Sequence, residues 1–242
     1  MKFAMISDLH GNTYAVEKTL EDIKKRSVDQ IICLGDVATL GPDPMGVMDL
    51  LQSIGCPNIM GNHDEFMIYP ETLKYYKTAP FIIDSVEATR LSLKEPYIEF
   101  IRKFEKKLEY KISENQTVLF YHGSPDSNTQ NILPTTSESE LDEAYKNYKY
   151  NVFVGGHTHV QMMLPYKGSM IVNTGSVGLP FEEFVDGKEP VILEKAEYAT
   201  VEFNESGTHI EFHHVPLKKS ILKESVSKWD NPLSSHRVRQ YS

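Results

Sequence analysis

The residues whose types and spacing can do chemistry are Asp8 and His10, Asp36, Asn62 and His63, His122, and the pair His157 and His159, which include five of the nine histidines. Each offers a carboxylate oxygen, an amide oxygen or an imidazole nitrogen, the donors that divalent transition ions take. Any one of them has an ordinary explanation. Aspartate after a strand caps helices, asparagine beside glycine turns the chain, and a single histidine packs or sits at the surface. Taken together they fall after five separate strand-like runs, and that coincidence points to a metal site.

The runs that must position them are FAMIS (3–7), QIICLG (30–35), TVLFYHG (117–123) and NVFVGG (151–156), with a shorter strand expected at 57–60. They are apolar at successive positions, as strands covered on both faces are. Between the first two, residues 12–26 carry apolar residues near helical spacing, with Asn12 or Thr13 as the cap and basic residues at the end. This makes a βαβ unit, and a short helix at 44–53 leading into 57–60 makes a second, so a parallel sheet is expected. In an open α/β sheet, ligands bind in the crevice at the carboxyl ends of the strands, where loops converge. The candidate donors belong to those loops.

Beyond Ile171 the pattern changes to close strand-like segments at 190–195, 198–204 and 208–215. Glu205-Ser206-Gly207 supplies turn chemistry for an antiparallel hairpin. Residues 65–111, including YIEFIRKFEKKLEY, carry helical charge patterning and are expected to form a helical insertion near the site. The polar stretch 231–242 is expected to be a loosely ordered tail, leaving 1–230 as a single domain with one sheet-based core.

Composition narrows the partners. A chain of 242 residues, 40% hydrophobic, can bury one large core, and its net charge of -9 disfavours an extended nucleic-acid surface. The start of the chain has no secretory pattern and no run reaches membrane-spanning length, so a cytoplasmic location and no membrane partner are expected. Cys33 and Cys56 sit in apolar contexts and are expected to be buried free thiols. The segment 217–229 and the late hairpin offer surfaces for a homo-oligomer.

The stretches S7-D8-L9-H10-G11-N12, G35-D36, G61-N62-H63-D64, Y121-H122-G123 and G155-G156-H157-T158-H159 resemble the five motifs of the calcineurin-like metallophosphoesterase superfamily. G41-P42-D43-P44 and N173-T174-G175-S176-V177-G178 resemble its small bacterial and archaeal phosphodiesterase-like branch, with Thr174 where proline is common. The resemblance implies an α/β fold, a four-layer α/β/β/α sandwich of two mixed sheets flanked by helices. It implies that Asp8, His10 and His159 hold one divalent ion, that Asn62, His122 and His157 hold another, and that Asp36 bridges them. It also implies that His63 is the general acid, held in orientation by Asp64. Asn12, Asn62 and His63 are the candidates for substrate binding. Mixed imidazole and oxygen ligation suits Mn, Fe, Co, Ni or Zn, with Mn2+ placed first. Two such ions about 3.5–4 Å apart can clamp a phosphate and lower the pKa of a bridging water to give hydroxide.

The function expected is hydrolysis of a small phosphate ester, such as a nucleotide, with phosphodiesters ahead of phosphomonoesters. A dinucleoside polyphosphate hydrolase would use the same ions. A protein phosphatase is disfavoured, because G35-D36-V37-A38-T39 and GNHD differ from the usual Asp-Arg-Gly and Gly-Asn-His-Glu. A non-catalytic interaction scaffold is disfavoured by the intact donor set. His209, His213, His214 and His236 are read as surface or packing residues, and the aromatics of K74-Y75-Y76 and F181-E182-E183-F184 as packing rather than a base pocket.

Overall fold

The computed structural model describes residues 1–76, 80–184 and 189–241. Two mixed sheets carry the fold. The first has the order β2 (Gln30–Cys33), β1 (Lys2–Ile6), β8 (Lys195–Asn204), β9 (Gly207–Pro216). The second has the order β3 (Leu108–Ser113), β4 (Gln116–Phe120), β5 (Val152–Gly155), β7 (Ser169–Thr174), β6 (Gln161–Tyr166). β1 runs parallel to β2, and β4, β5 and β7 are mutually parallel. β8, β9, β3 and β6 pair antiparallel.

Strand alternation explains the layering, because successive side chains point to opposite faces. Phe3 and Met5 of β1 join Val118 and Phe120 of β4, Val152 and Val154 of β5 and Val201 of β8 in one cluster between the sheets. The alternate residues Ala4 and Ile6 face the other way, into a cluster with Val16 and Ile23 of α1 (Thr13–Ile23) and Val47 and Leu51 of α2 (Pro44–Ile54). Leu119 and Phe153 likewise turn outward to Leu141 and Tyr145 of α6 (Glu138–Tyr145). Strands buried on both faces must be apolar throughout, as the sequence suggested. The result is helices, sheet, sheet, helix, so the single-sheet core read from the strand pattern gives way to the four layers that the resemblance implied.

α1 and α2 form where expected, each with a side-chain cap: Asn12 Oδ1 accepts from Ala15 N at 3.1 Å and Asp43 Oδ1 from Gly46 N at 3.0 Å. Pro57–Met60 makes only isolated bridges, Asn58 to Cys33 and Ile59 to Glu105. The hairpin β8–β9 is the one expected, but 190–195 adds only a bridge from Ile192 to Phe181 and the start of β8. Residues 65–111 are helical only in part. α3 (Asn62–Ile68), a 3₁₀ turn (Pro70–Tyr76), α4 (Pro80–Ser92) and α5 (Glu95–Ile101) are followed by β3, whose residues alternate between half-buried and exposed. Residues 77–79 of that segment lie outside the described residues, as do the side chains of Tyr75 and Tyr76.

The tail departs further from expectation. α7 (Lys219–Ser227) is followed by α8 (Ser234–Gln240), and Leu233, Arg237 and Tyr241 recur at helical spacing and are all buried, with Leu233 and Tyr241 in the cluster that holds Leu222 and Val226. The arginine and tyrosine in that stripe hid its helical face. Only Ser242 of the stretch lies outside the described residues. Cys33 and Cys56 are free and buried. Among the described residues no helix is long and apolar enough to cross a membrane.

Candidate metal centre

Every sequence-predicted donor comes from a chain segment leaving the same edge of the two sheets. Asp8 and His10 follow β1, Asp36 follows β2, Asn62 and His63 open α3, His122 follows β4, and His157 and His159 follow β5. The turns that deliver them are sharp. Asp8, His10, Asp36, His157 and His159 all have left-handed backbones, with φ of +53°, +44°, +56°, +71° and +60°. Asp and His accept this region more readily than most residues, yet each instance still costs on the order of 1–3 kcal/mol, and such strain collects at functional sites. Only three other non-glycine residues among those described share it, so the strain is concentrated here.

Surrounding hydrogen bonds hold the strained loops. Asp8 N donates to Gly35 O at 2.9 Å and His10 N to Asp36 O at 3.0 Å, locking the first loop to the second. Ser176 Oγ donates to Asp8 O at 2.7 Å and accepts from Leu179 N at 2.8 Å, which gives the 173–178 motif a supporting part. Gly61 and Gly156 are required by close approach: a Cβ on Gly61 would stand 2.1 Å from Asp36 Oδ1, and one on Gly156 1.9 Å from Ser7 Oγ.

Two groups of donor atoms result, Asp8 with His10 and His159, and Asp36 with His122 and His157, the atoms of each lying within 4.8 Å of one another. Asn62 Oδ1 reaches the second group, 3.1 Å from His122 Nε2. Asp36 stands between the groups: its Oδ2 is 3.4 Å from His122 Nε2 and 3.9 Å from His10 Nε2, while its Oδ1 accepts from His63 N at 2.8 Å.

Protonation tests whether cations fit. The Nδ1 atoms of His10, His122 and His159 lie 3.1, 2.7 and 2.7 Å from the carbonyl oxygens of Thr39, Leu34 and Leu179. A carbonyl only accepts, so each Nδ1 donates its proton there and each Nε2 turns inward, the nitrogen left to a metal. His10 Nε2 and His159 Nε2 then meet at 3.0 Å. Asp8 Oδ1 is fully buried without a hydrogen-bond partner, although His159 Nε2 is 3.2 Å away. Converging lone pairs around an orphaned carboxylate oxygen repel unless positive charge sits among them. His122 shows the same demand: burial opposes its charge, but Asp36 and Asp8 outweigh it and push its pKa up to about 10. The donor set fits divalent cations.

Two expectations change. Asp64 does not orient His63; its carboxylate accepts from Asp36 N at 2.7 Å, Gly61 N at 3.0 Å and Val37 N at 2.9 Å, and so ties the second motif to the third. His63 Nδ1 instead lies 2.7 Å from the hydroxyl of Thr39, a buried residue whose carbonyl also holds His10. Burial pushes His63 down to about 4, with the Asp36 charge opposing and His159 and His122 assisting. Asn12, expected to touch substrate, has both side-chain polar atoms engaged, capping α1 and donating to Gly178 O at 3.0 Å. Thr39 carried no sequence signal beyond its place three residues after Asp36. Phe181 stacks on His159 with centroids 4.3 Å apart, so that aromatic packs against the site.

The sequence model of the calcineurin-like phosphoesterase superfamily domain matches residues 1–196. The chain belongs to that superfamily. As a member it is a metal-dependent phosphoester hydrolase by class, and every donor and His63 lie within the matched residues. An uncharacterized protein of Methanocaldococcus jannaschii is 28% identical over 246 residues, covering 93% of this chain and 94% of its own. The crystal structure of a metallophosphoesterase from Sphaerobacter thermophilus is similar at 22% identity with a TM-score of 0.75, covering 100% of this chain and 98% of its own. A hypothetical protein from Pyrococcus horikoshii is similar at 19% identity with a TM-score of 0.79, covering 98% and 96%. These two structures share the fold of this phosphoesterase.

Proposed function

We propose that this phosphoesterase hydrolyses a small phosphate ester, with phosphodiesters ahead of phosphomonoesters, at a centre of two divalent ions. Asp8, His10 and His159 would hold one ion, Asn62, His122 and His157 would hold the other, and Asp36 would be shared. The observation that carries this reading is the position of Asp36 Oδ2 between the two donor groups. Divalent cations held by these residues would supply Lewis acidity to a phosphoryl group and would acidify a water, whose pKa falls to about 7 on such ions. His63 delivers a proton to the departing oxygen from the ring nitrogen not facing Thr39, which requires Thr39 to set the ring's orientation. A phosphoryl anion docked beside His63 opposes the lowering of its pKa by burial and so favours its charged, donating form.

Mixed imidazole and carboxylate donors suit Mn, Fe, Co, Ni or Zn, and Mn2+ is the ion to test first. The purified chain, assayed with Mn2+ and with a chelator on bis(4-nitrophenyl) phosphate and 4-nitrophenyl phosphate, is expected to turn over the diester faster and only with metal. Absence of metal-dependent turnover of either ester, with metal bound, would sink the reading.

A further inference from the structure

The stretch 173–178 supplies no donor to either group, yet its first residue reaches the turn that carries two of them. Asn173, the penultimate residue of β7, is buried and pairs with Gly155 of β5, the strand from which His157 and His159 leave. Its Nδ2 donates to Gly156 O at 2.5 Å and to Thr158 Oγ1 at 3.0 Å, and its Oδ1 accepts from Gly175 N at 3.0 Å. The two backbone partners fix which way the amide points, because a carbonyl accepts and an N–H donates. One buried side chain therefore grips the chain on both sides of His157, whose backbone is left-handed.

His157 is the imidazole of the two donor groups that needs such a grip. A ligand histidine is ordinarily oriented by a partner on its other ring nitrogen. Carbonyl oxygens do this for His10, His122 and His159, and Phe181 also stacks on His159. Among the described residues nothing hydrogen-bonds the ring of His157; it meets His122 edge-on with centroids 5.2 Å apart, and its backbone N donates to Asp8 Oδ2 at 3.0 Å. The ring is placed by its turn, and the turn is held by Asn173. Asp8 has braces of its own, since its carbonyl accepts from Ser176 Oγ and from Gly178 N.

We propose that Asn173 is the positioning residue of His157: by pinning Gly156 and Thr158 it fixes the one donor imidazole that no carbonyl orients, and so sets the affinity of one ion and not of the other. The proposal rests on the two-ion reading above. Asn173 itself touches neither ion nor substrate, and its effect passes through His157.

The test titrates Mn2+ calorimetrically into the chelator-stripped full chain, as the parent and as Asn173→Leu, Thr158→Val and Thr158→Ser. Outer partners of a ligand histidine count for about 10–100-fold in metal affinity, so Asn173→Leu should weaken one ion by that factor and leave the other near its parent value. Thr158→Val, which removes one acceptor and spares the bond to Gly175 N, should weaken the same ion less, and Thr158→Ser should restore it. A double-mutant cycle identifies the ion: Asn173→Leu should add nothing in a His157→Ala background and keep its full effect in a His159→Ala background. Unchanged affinities in Asn173→Leu, whatever the melting temperature of the metal-free chain, mark a merely structural residue and overturn the proposal. Equal weakening of both ions overturns it too. If Asn173→Leu fails to fold, unchanged affinities in Thr158→Val overturn it. If the parent binds fewer than two Mn2+, the failure lies with the two-ion reading instead.

Discussion

Asp36→Asn is expected to weaken both ion sites together and to reduce metal-dependent turnover on the order of 10³-fold. The substitution keeps the side chain's shape and leaves Oδ1 able to accept from His63 N, so the loop need not move. What it removes is the negative charge facing both donor groups, with Oδ2 at 3.4 Å from His122 Nε2 and 3.9 Å from His10 Nε2. A shared carboxylate offsets the repulsion between two cations, and metal centres contribute several kcal/mol of transition-state stabilisation, each 1.4 kcal/mol or so counting tenfold in rate. His122→Ala or His159→Ala should weaken mainly one ion. Metal analysis of the desalted variants separates these outcomes, and equal retention of both ions in Asp36→Asn would overturn the shared role.

His63→Ala should keep its metals and lose about 10²–10⁴-fold in turnover of an alkyl phosphodiester, with a smaller loss for an aryl ester whose leaving group needs no proton. The leaving-group dependence is what marks a proton donor rather than a packing residue. Thr39→Val is the companion variant, because it removes the hydroxyl 2.7 Å from His63 Nδ1 while keeping the carbonyl that holds His10. It should show the same leaving-group dependence to a lesser degree, and Thr39→Ser should restore the parent behaviour. Unchanged turnover of the alkyl ester in His63→Ala would refute the role.

The donors of the candidate centre were legible in the sequence because each one ends a strand-like run, and strand ends converge in space whatever sheet they belong to. The assignment of runs to sheets was not. Phe3 and Phe120 meet between two sheets and Ala4 and Leu119 face helices, but a run apolar at every position reads the same in the middle of one sheet or of two. Edge strands escaped for a different reason. β6 contains Pro165 and has Met163 exposed, which weakens its strand pattern and suits its edge place. β3 alternates charged and apolar residues, and its charges extend a run that is helical only as far as Ile101.

Second partners were the least legible of all. Asp64 adjoins His63 in sequence, but α3 begins at Asn62, and in the first turn of a helix a carboxylate reaches backbone amides more readily than the next side chain. Thr39 meets His63 where the second and third motifs are tied together, through Asp64 and through His63 N on Asp36 Oδ1, a tertiary fact that spacing does not encode.

The claim on which the rest depends is that the converging donors hold two ions. Calorimetric titration of Mn2+ into the chelator-stripped parent chain tests it most directly. Saturation at two Mn2+ per chain is expected; saturation at one, or no binding, would contradict a two-ion centre.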